Sequence, residues 1–319
     1  MLRDGTVVAL DHATGLLAWS TPRGATVPPV STGPMLVGGE GSTAWALDAA
    51  TGTPRWQHDL GGTIVLSPVT TDAGPLFLTD RNEAVLLASA DGREIWRQLL
   101  GGRPTSSSSS GSHAWVGLED GRVLAFQTGS HDVQWTRVLS GASLAMTPAG
   151  DRLLVGSADN FLYALRVKDG GVAWRWRTGG DVTGAAATDA RRVFFVSSDA
   201  TLRAIDLRHG DLRWQRPLVT RAVGTPALSG DILVVAGVSP ELHGFRTGDG
   251  AVAGSAPVPG RALHGPFVAA ASGSTQARLV LTTAGGQVLA IGQTVEPRLV
   301  PLDFLPGTRL RPEVLPPIR

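Results

Sequence analysis

The chain contains no cysteine. That excludes a disulfide framework, thiolate zinc sites and cysteine nucleophiles within these residues, and no lipidated N-terminal cysteine is expected. Charge is also sparse, at 17% of residues against roughly 25% in an average soluble protein. Lys plus Arg (28) against Asp plus Glu (27) leaves a formal charge of +1. There is no basic excess to hold a phosphate backbone, so nucleic acid is not an expected partner. Long apolar runs are missing too. Stretches such as Ile232 to Val235 fall far short of the ~20 residues of a membrane helix, so no transmembrane segment is expected. Met1-Leu2-Arg3-Asp4 opens no hydrophobic signal-peptide core. What is abundant is Gly (41) and Pro (21), about a fifth of 319 residues, beside 42% hydrophobic residues, enough for a core. Lys168 is the sole lysine, which with only six Ile reads as genomic base-composition bias; an arginine-rich binding role is the sharper alternative.

Six tryptophans recur at nearly constant spacing: Trp19, Trp56, Trp96, Trp135, Trp174 and Trp214, separated by 37, 40, 39, 39 and 40 residues. A further 40 residues lands on Gly254, in a copy that has lost its Trp. Four residues before each Trp stands a turn glycine (Gly15, Gly52, Gly92, Gly170, Gly210), with His131 the exception. Nine and ten residues before it lies an apolar pair such as Ala9-Leu10, Ala46-Leu47 or Ala204-Ile205. The degenerate copy has Gly244-Phe245, and an eighth half-copy has Ala290-Ile291. A period near 40 residues indicates a solenoid, a propeller or an array.

Within each repeat short apolar runs alternate with tight-turn signals. Leu153-Leu154-Val155, then Ala158-Asp159-Asn160, then Phe161 to Leu165, then Lys168-Asp169-Gly170-Gly171, then Val172 to Trp176 is one example. No stretch holds a capped 3.6-residue period. A further run about ten residues after each Trp, such as Ser67-Pro68-Val69 or Thr225 to Leu228, brings the count to four strands per repeat. Four short antiparallel strands in this space describe a propeller blade, so the expected fold is an all-β propeller, with eight blades preferred to seven. Each Trp, with about 200 Å² of apolar surface, is expected to fill the wedge between diverging blades; a substrate-stacking platform is the alternative. Each Gly is expected to supply the positive φ of a turn, and Asp11, Asp48 and Asp206 to bond local turn amides.

The pattern Ala-Leu-Asp, then Gly, then Trp, carried by Ala9-Leu10-Asp11…Gly15…Trp19 and Ala46-Leu47-Asp48…Gly52…Trp56, resembles the repeat of the pyrroloquinoline-quinone (PQQ)-like β-propellers. That superfamily includes quinoprotein alcohol dehydrogenases, the propeller lipoprotein of the outer-membrane β-barrel assembly machinery, and sensor domains of bacterial serine/threonine kinases. The resemblance covers residues 1–291 and implies a bacterial protein of the periplasm or cell envelope. The dehydrogenases use a vicinal disulfide and carboxylates in long inserts; this chain has no cysteine and only short connections, so neither enzyme activity nor a bound cofactor is expected. The chain starts mid-blade, with strands at Thr6 to Leu10 and Leu16 to Ser20. It ends its pattern with His264 to Ala270, Arg278 to Thr282 and Gln287 to Ile291. Eight blades leave one without its two inner strands, which are expected upstream of Met1 or from a partner. Seven blades would pair the last two inner strands with the N-terminal hairpin.

Seven residues after the Trp position, where an inner strand begins, stand Thr26, Thr63, Arg103, Ala142, Asp181, Arg221 and, in the degenerate copy, Arg261. Three arginines at equivalent positions are a candidate for holding a carboxylate or phosphate near a channel mouth. The plainer reading has them solvated, or paired with Glu40, Asp80, Asp120, Asp159 or Asp199. His12, His58, His131, His209 and His264 are scattered over turns and one strand start and form no metal constellation. Thr105 and Ser106 to Ser110 fall where an inner strand is due and read as small side chains lining a narrow channel, with a linker as second choice. Residues 292–319, with Pro297, Pro301, Pro306, Pro312, Pro316 and Pro317, read as a proline-rich tail. Within it Val295 to Val300 could serve as a degenerate outer strand, and Leu302-Asp303-Phe304-Leu305 offers packing anchors. The function expected is a non-catalytic scaffold binding proteins or peptides on a face or blade edge, in an envelope assembly or a signalling complex. The alternative is a sensor or quinoprotein enzyme that takes PQQ or an anionic small molecule at Arg103, Arg221 and Arg261.

Overall fold

The structure, a computed structural model, describes residues 6–11, 14–130, 132–262, 265–269, 278–292, 298–301 and 313–314. These residues contain strands and turns and no helix, in eight antiparallel sheets. Six have four strands in chain order, spanning 30–59, 69–99, 104–138, 143–177, 187–217 and 222–257. The first sheet is the two-stranded hairpin Val7–Leu10 and Leu17–Thr21. The last has five strands, Phe267–Ala269, Arg278–Thr282, Gln287–Gly292, Arg298–Pro301 and Glu313–Val314. This is the eight-blade reading of the propeller. Phe267–Ala269 pairs with Arg278–Thr282, and Arg278–Thr282 with Gln287–Gly292, rather than completing the N-terminal hairpin. The degenerate outer strand is present as Arg298–Pro301, and Glu313–Val314 adds a fifth strand to its free edge. His12, His131, His264 and Leu302-Asp303-Phe304-Leu305 lie outside the described residues.

The chain forms two compact units. One comprises Met1–Leu10, Leu17–Asp159 and Ala164–Val172; the other comprises Asp11–Leu16, Asn160–Tyr163 and Ala173–Arg319. The core in each lies between successive sheets. In the first unit Leu76, Leu86 and Trp96 of one sheet pack on Val116, Leu124 and Phe126 of the next. In the second, Phe194, Leu202 and Trp214 pack on Leu233, Val235 and Phe245. The second and third strands are therefore covered on both faces, as in His113–Leu118 and Arg122–Gln127, which explains their near-continuous apolar runs. The fourth strands alternate instead, with Trp the buried residue of Val133–Val138 and Leu212–Pro217.

The repeat signature has a geometric meaning. Each indole N–H donates to a backbone carbonyl of the following repeat: Trp19 to Ala49, Trp56 to Ser89, Trp96 to Thr128, Trp135 to Val167, Trp174 to Leu207 and Trp214 to Thr247, at 2.7–3.1 Å. For all but Trp96 the ring then lies on that repeat's turn glycine. A Cβ on Gly52, Gly92 or Gly250 would fall 2.5 Å from an indole atom of Trp19, Trp56 or Trp214. Gly170 and Gly210 stand in the same relation to Trp135 and Trp174. All five have positive φ, between 64° and 80°, so the glycine serves both its turn and the preceding Trp. Directly opposite the indole stands the first member of the apolar pair: Ala9 faces Trp19, Ala46 Trp56, Ala125 Trp135 and Ala204 Trp214. The register slips immediately after it, a recurrent β-bulge.

The serine-rich run is an edge strand, Pro104–Ser110. Its hydroxyls reach sideways to the neighbouring edge strands: Ser106 to the Ser143 carbonyl and hydroxyl, Thr105 to the Ser143 carbonyl, and Ser109 to the Thr70 carbonyl.

Truncating one wedge is expected to cost about 3–5 kcal/mol, so Trp96→Ala should lower the urea midpoint strongly. Gly92→Ala and Gly150→Ala share positive φ values of 72° and 61°, and each incurs about 1–2 kcal/mol of backbone strain. Only Gly92 meets an indole, whereas nothing lies within 4 Å of Gly150. Gly92→Ala should therefore be clearly the more damaging of the two in equilibrium denaturation, and equal losses would remove the indole contact from the account.

Candidate functional site

The loops entering the inner strands are built alike. After the fourth strand a buried apolar residue anchors the chain, such as Leu60, Leu100, Leu139 or Val258. Its N–H bonds the turn between the second and third strands of its own sheet: Leu60 to Ser42, Leu100 to Asn82, Leu139 to Gly121, Val258 to Pro240. A few residues on, the carbonyl of the next fixed position accepts an N–H from the corresponding turn of the following sheet. Arg103 accepts from Glu119, Arg221 from Val238 and Arg261 from Ala284, as Thr63, Ala142 and Asp181 accept from Asp80, Ala158 and Ser198. The equivalence inferred from spacing is thus fixed by backbone bonding. Arg103, Arg221 and Arg261 are all exposed. Among the described residues none of the three has an ion-pair partner. Arg103 belongs to the first compact unit, Arg221 and Arg261 to the second.

Several acids suggested as their partners are used locally. Asp80 accepts the Thr63 N–H, and Asp120 pairs with Arg122, which also bonds the Gly101 carbonyl. Asp199 accepts the Gly179 and Thr201 N–H groups and the Ser197 hydroxyl, and pairs at 2.7 Å with Arg203, itself buried. Burial alone would raise the Asp199 carboxyl, but Arg203, Ser197 and the Gly179 amide outweigh it and hold it well below the carboxylate range.

At the other end of the sheets lie the turns between third and fourth strands. Asp48 Oδ1 accepts the Ala50 and Thr51 N–H groups, and Asp206 Oδ1 those of Arg208 and His209. The bulge carries the residue before each Trp back over this turn, so Arg55 pairs with Asp48 at 2.5 Å and Arg213 with Asp206 at 2.6 Å. Those guanidinium bonds hold both carboxyls down at about 2. In sheet 187–217 the turn between first and second strands, Asp189-Ala190-Arg191, is one residue longer than Asp72-Ala73 or Gly150-Asp151. Asp189, Ala190, Arg191, Arg192, Asp206 and Arg213 line a cavity of about 650 Å³ there. The repeat spacing does not reveal it; the extra turn residue with its Arg-Arg pair is the sequence signal that could have.

The family described as "Outer membrane protein assembly factor BamB" matches residues 3–148 and 119–308. The chain belongs to this family. A BamB of Yersinia pestis is 26% identical over 282 residues, covering 78% of this chain and 71% of its own length. A BamB of Shewanella oneidensis is 23% identical over 242 residues, covering 69% of this chain. The chain spans 60% of that relative's length. The crystal structure of BamB from Moraxella catarrhalis superposes with a TM-score of 0.72 at 20% identity, over 90% of this chain and 93% of that one. The computationally designed Ika8 protein gives 0.74 at 15% identity, over 89% of each. These likenesses establish the PQQ-like propeller fold. Among the described residues the features of a quinone pocket of the dehydrogenase kind are not found. There are no vicinal cysteines, and the turns joining second to third strands in sheets 30–59 to 222–257 are two to four residues long.

The Asp206–Arg213 pair sets a pH dependence. The folded carboxyl, at about 2 against an ordinary 3.8, contributes stability that is complete above the ordinary value and fades as pH falls toward 2. Asp206→Asn is therefore expected to be less stable than the parent at pH 7, with urea midpoints that converge between pH 4 and pH 2; a constant gap over that range would assign the loss to something other than the ionised carboxyl.

Proposed function

We propose that this chain is a non-catalytic scaffold of an envelope assembly, docking protein segments through the loops that carry Arg103, Arg221 and Arg261. The family match over residues 3–148 and 119–308, to a description that names an assembly factor, is the observation that carries this reading. The geometry is in keeping with it. The loops are held by backbone bonds while their three guanidinium groups stay exposed and unpaired among the described residues, ready for acceptors on a partner. Strand edges offer a second mode: Glu313–Val314 already adds a strand to an outer edge within the chain, and exposed Leu99 and Val138 stand on other outer strands.

The test is complementation. In cells lacking this protein, the wild-type chain should restore the abundance of outer-membrane β-barrel proteins. A variant with Arg103→Glu, Arg221→Glu and Arg261→Glu should fold normally, by its thermal melt, yet restore several-fold less. Full restoration by that variant removes the docking loops from the proposal. Failure of the wild-type chain, together with saturable calorimetric binding of PQQ and calcium, would favour a sensor instead.

A further inference from the structure

Within sheet 187–217, the cavity between the turn Asp189-Ala190-Arg191 and the turn after Asp206 lies at the opposite end from Arg221. The strand Leu212–Pro217 separates them, a span of about 20 Å. Its lining joins three guanidinium groups to two carboxylates. The carboxylates are already used. Asp189 Oδ1 accepts the Arg191 and Arg192 N–H groups, and its Oδ2 accepts from Arg192 Nε. Asp206 accepts two backbone N–H groups on Oδ1, which also lies 3.2 Å from His209 Nδ1, and accepts Arg213 on Oδ2.

The donors are not used to the same degree. Arg192 is fully engaged, since beyond Asp189 it bonds the carbonyl and hydroxyl of Thr247 and lies over the Phe194 ring. Arg213 commits one terminal nitrogen to Asp206, which leaves its remaining N–H groups without a hydrogen-bond partner among the described residues. Arg191 is exposed, and its guanidinium has no partner among them either. A cavity whose acceptors are saturated and whose donors are not is built to receive acceptors. The exposed Asp211 near Arg213 tempers its charge but does not line the cavity.

We infer that this cavity is a binding site for an oxyanion, a carboxylate or phosphate group, gripped by Arg191 and Arg213 and braced by Arg192. The volume exceeds what a single ion fills and suits a group carried on an organic ligand or an acidic side chain. The equivalent pair Asp48–Arg55 provides a built-in comparison. It has the same turn and the same bulge, but Met35 stands at the Arg192 position and no Arg-Arg turn adjoins it.

The test is calorimetry on the full chain at low ionic strength, with inorganic phosphate and a tetraglutamate peptide titrated separately. At least one probe should bind saturably, and the one that does identifies the group. Arg191→Glu should weaken that binding by about tenfold or more, since a charge-assisted contact becomes a repulsion. Arg213→Gln should weaken it comparably, and Arg55→Gln should leave it unchanged. Arg191 makes no side-chain bond among the described residues, so its variant should fold and remains decisive even if Arg213→Gln loosens its turn. Absence of saturation by both probes, parental affinity in Arg191→Glu, or loss of binding in Arg55→Gln would each overturn the assignment.

Discussion

The structure depends on one contact repeated along the chain: an indole ring seated on the turn glycine of the next repeat while its N–H bonds a carbonyl three residues before that glycine. A four-stranded sheet that is apolar on both faces cannot bury them alone, so stability comes from nearest neighbours. The contact makes that coupling specific. Except after Trp96, where His131 takes that place in the sequence, a Trp in one repeat is matched by a Gly in the following one, which serves both its positive φ and the room left by a missing Cβ. The degenerate copy follows the same logic. Gly250 persists because Trp214 lies on it, whereas position 254, where the Trp is lost, is itself glycine and faces Gly244.

A second, polar constraint acts at the strand ends. Short turns leave backbone N–H groups that need acceptors, and aspartates supply them at Asp48, Asp199 and Asp206. Arginines then neutralise the aspartates, and others tie one repeat to the next: Arg137 bonds the Gly170 carbonyl, Arg216 those of Asp249 and Gly250. Many of the arginines are thus absorbed by the frame.

The tryptophan spacing made the blades legible because both the wedge and its seat are set by position within the repeat. The alanine opposite Trp19, Trp56, Trp135 and Trp214 was visible as half of an apolar pair, though its place against the ring is a cross-strand matter that one strand does not display. The eighth fourth strand was blurred by Pro297 and Pro301, yet Arg298–Pro301 tolerates its terminal proline at the strand's end. The serine run fell where an inner strand was due, and the first strand of its sheet, Pro104–Ser110, stands there. Its lateral bonds to Ser143 and Thr70 were not foreseeable, because they join residues from different repeats whose hydroxyls carry no positional signature. Arg103, Arg221 and Arg261 were legible as a register, since spacing locates a backbone position. What such side chains meet depends on loops that the repeat leaves free to vary.

That freedom is where a repeat protein acquires function, and the Asp–Arg turn shows how small the change can be. Arg55 and Arg213 occupy the same bulge, face the same kind of aspartate and hold it equally far below its ordinary range. In one sheet the arrangement ends as turn chemistry. In the other, Arg192 faces the aspartate where Met35 does in the first, a longer adjoining turn carries Arg191, and a structural pair becomes the wall of a cavity. The added residue lies in the turn Asp189-Ala190-Arg191, which makes none of the indole contacts that couple the sheets. The indole contacts are set by position within the repeat while the turns beside the cavity vary, which is why membership of the BamB family fixes the frame far more tightly than it fixes any ligand.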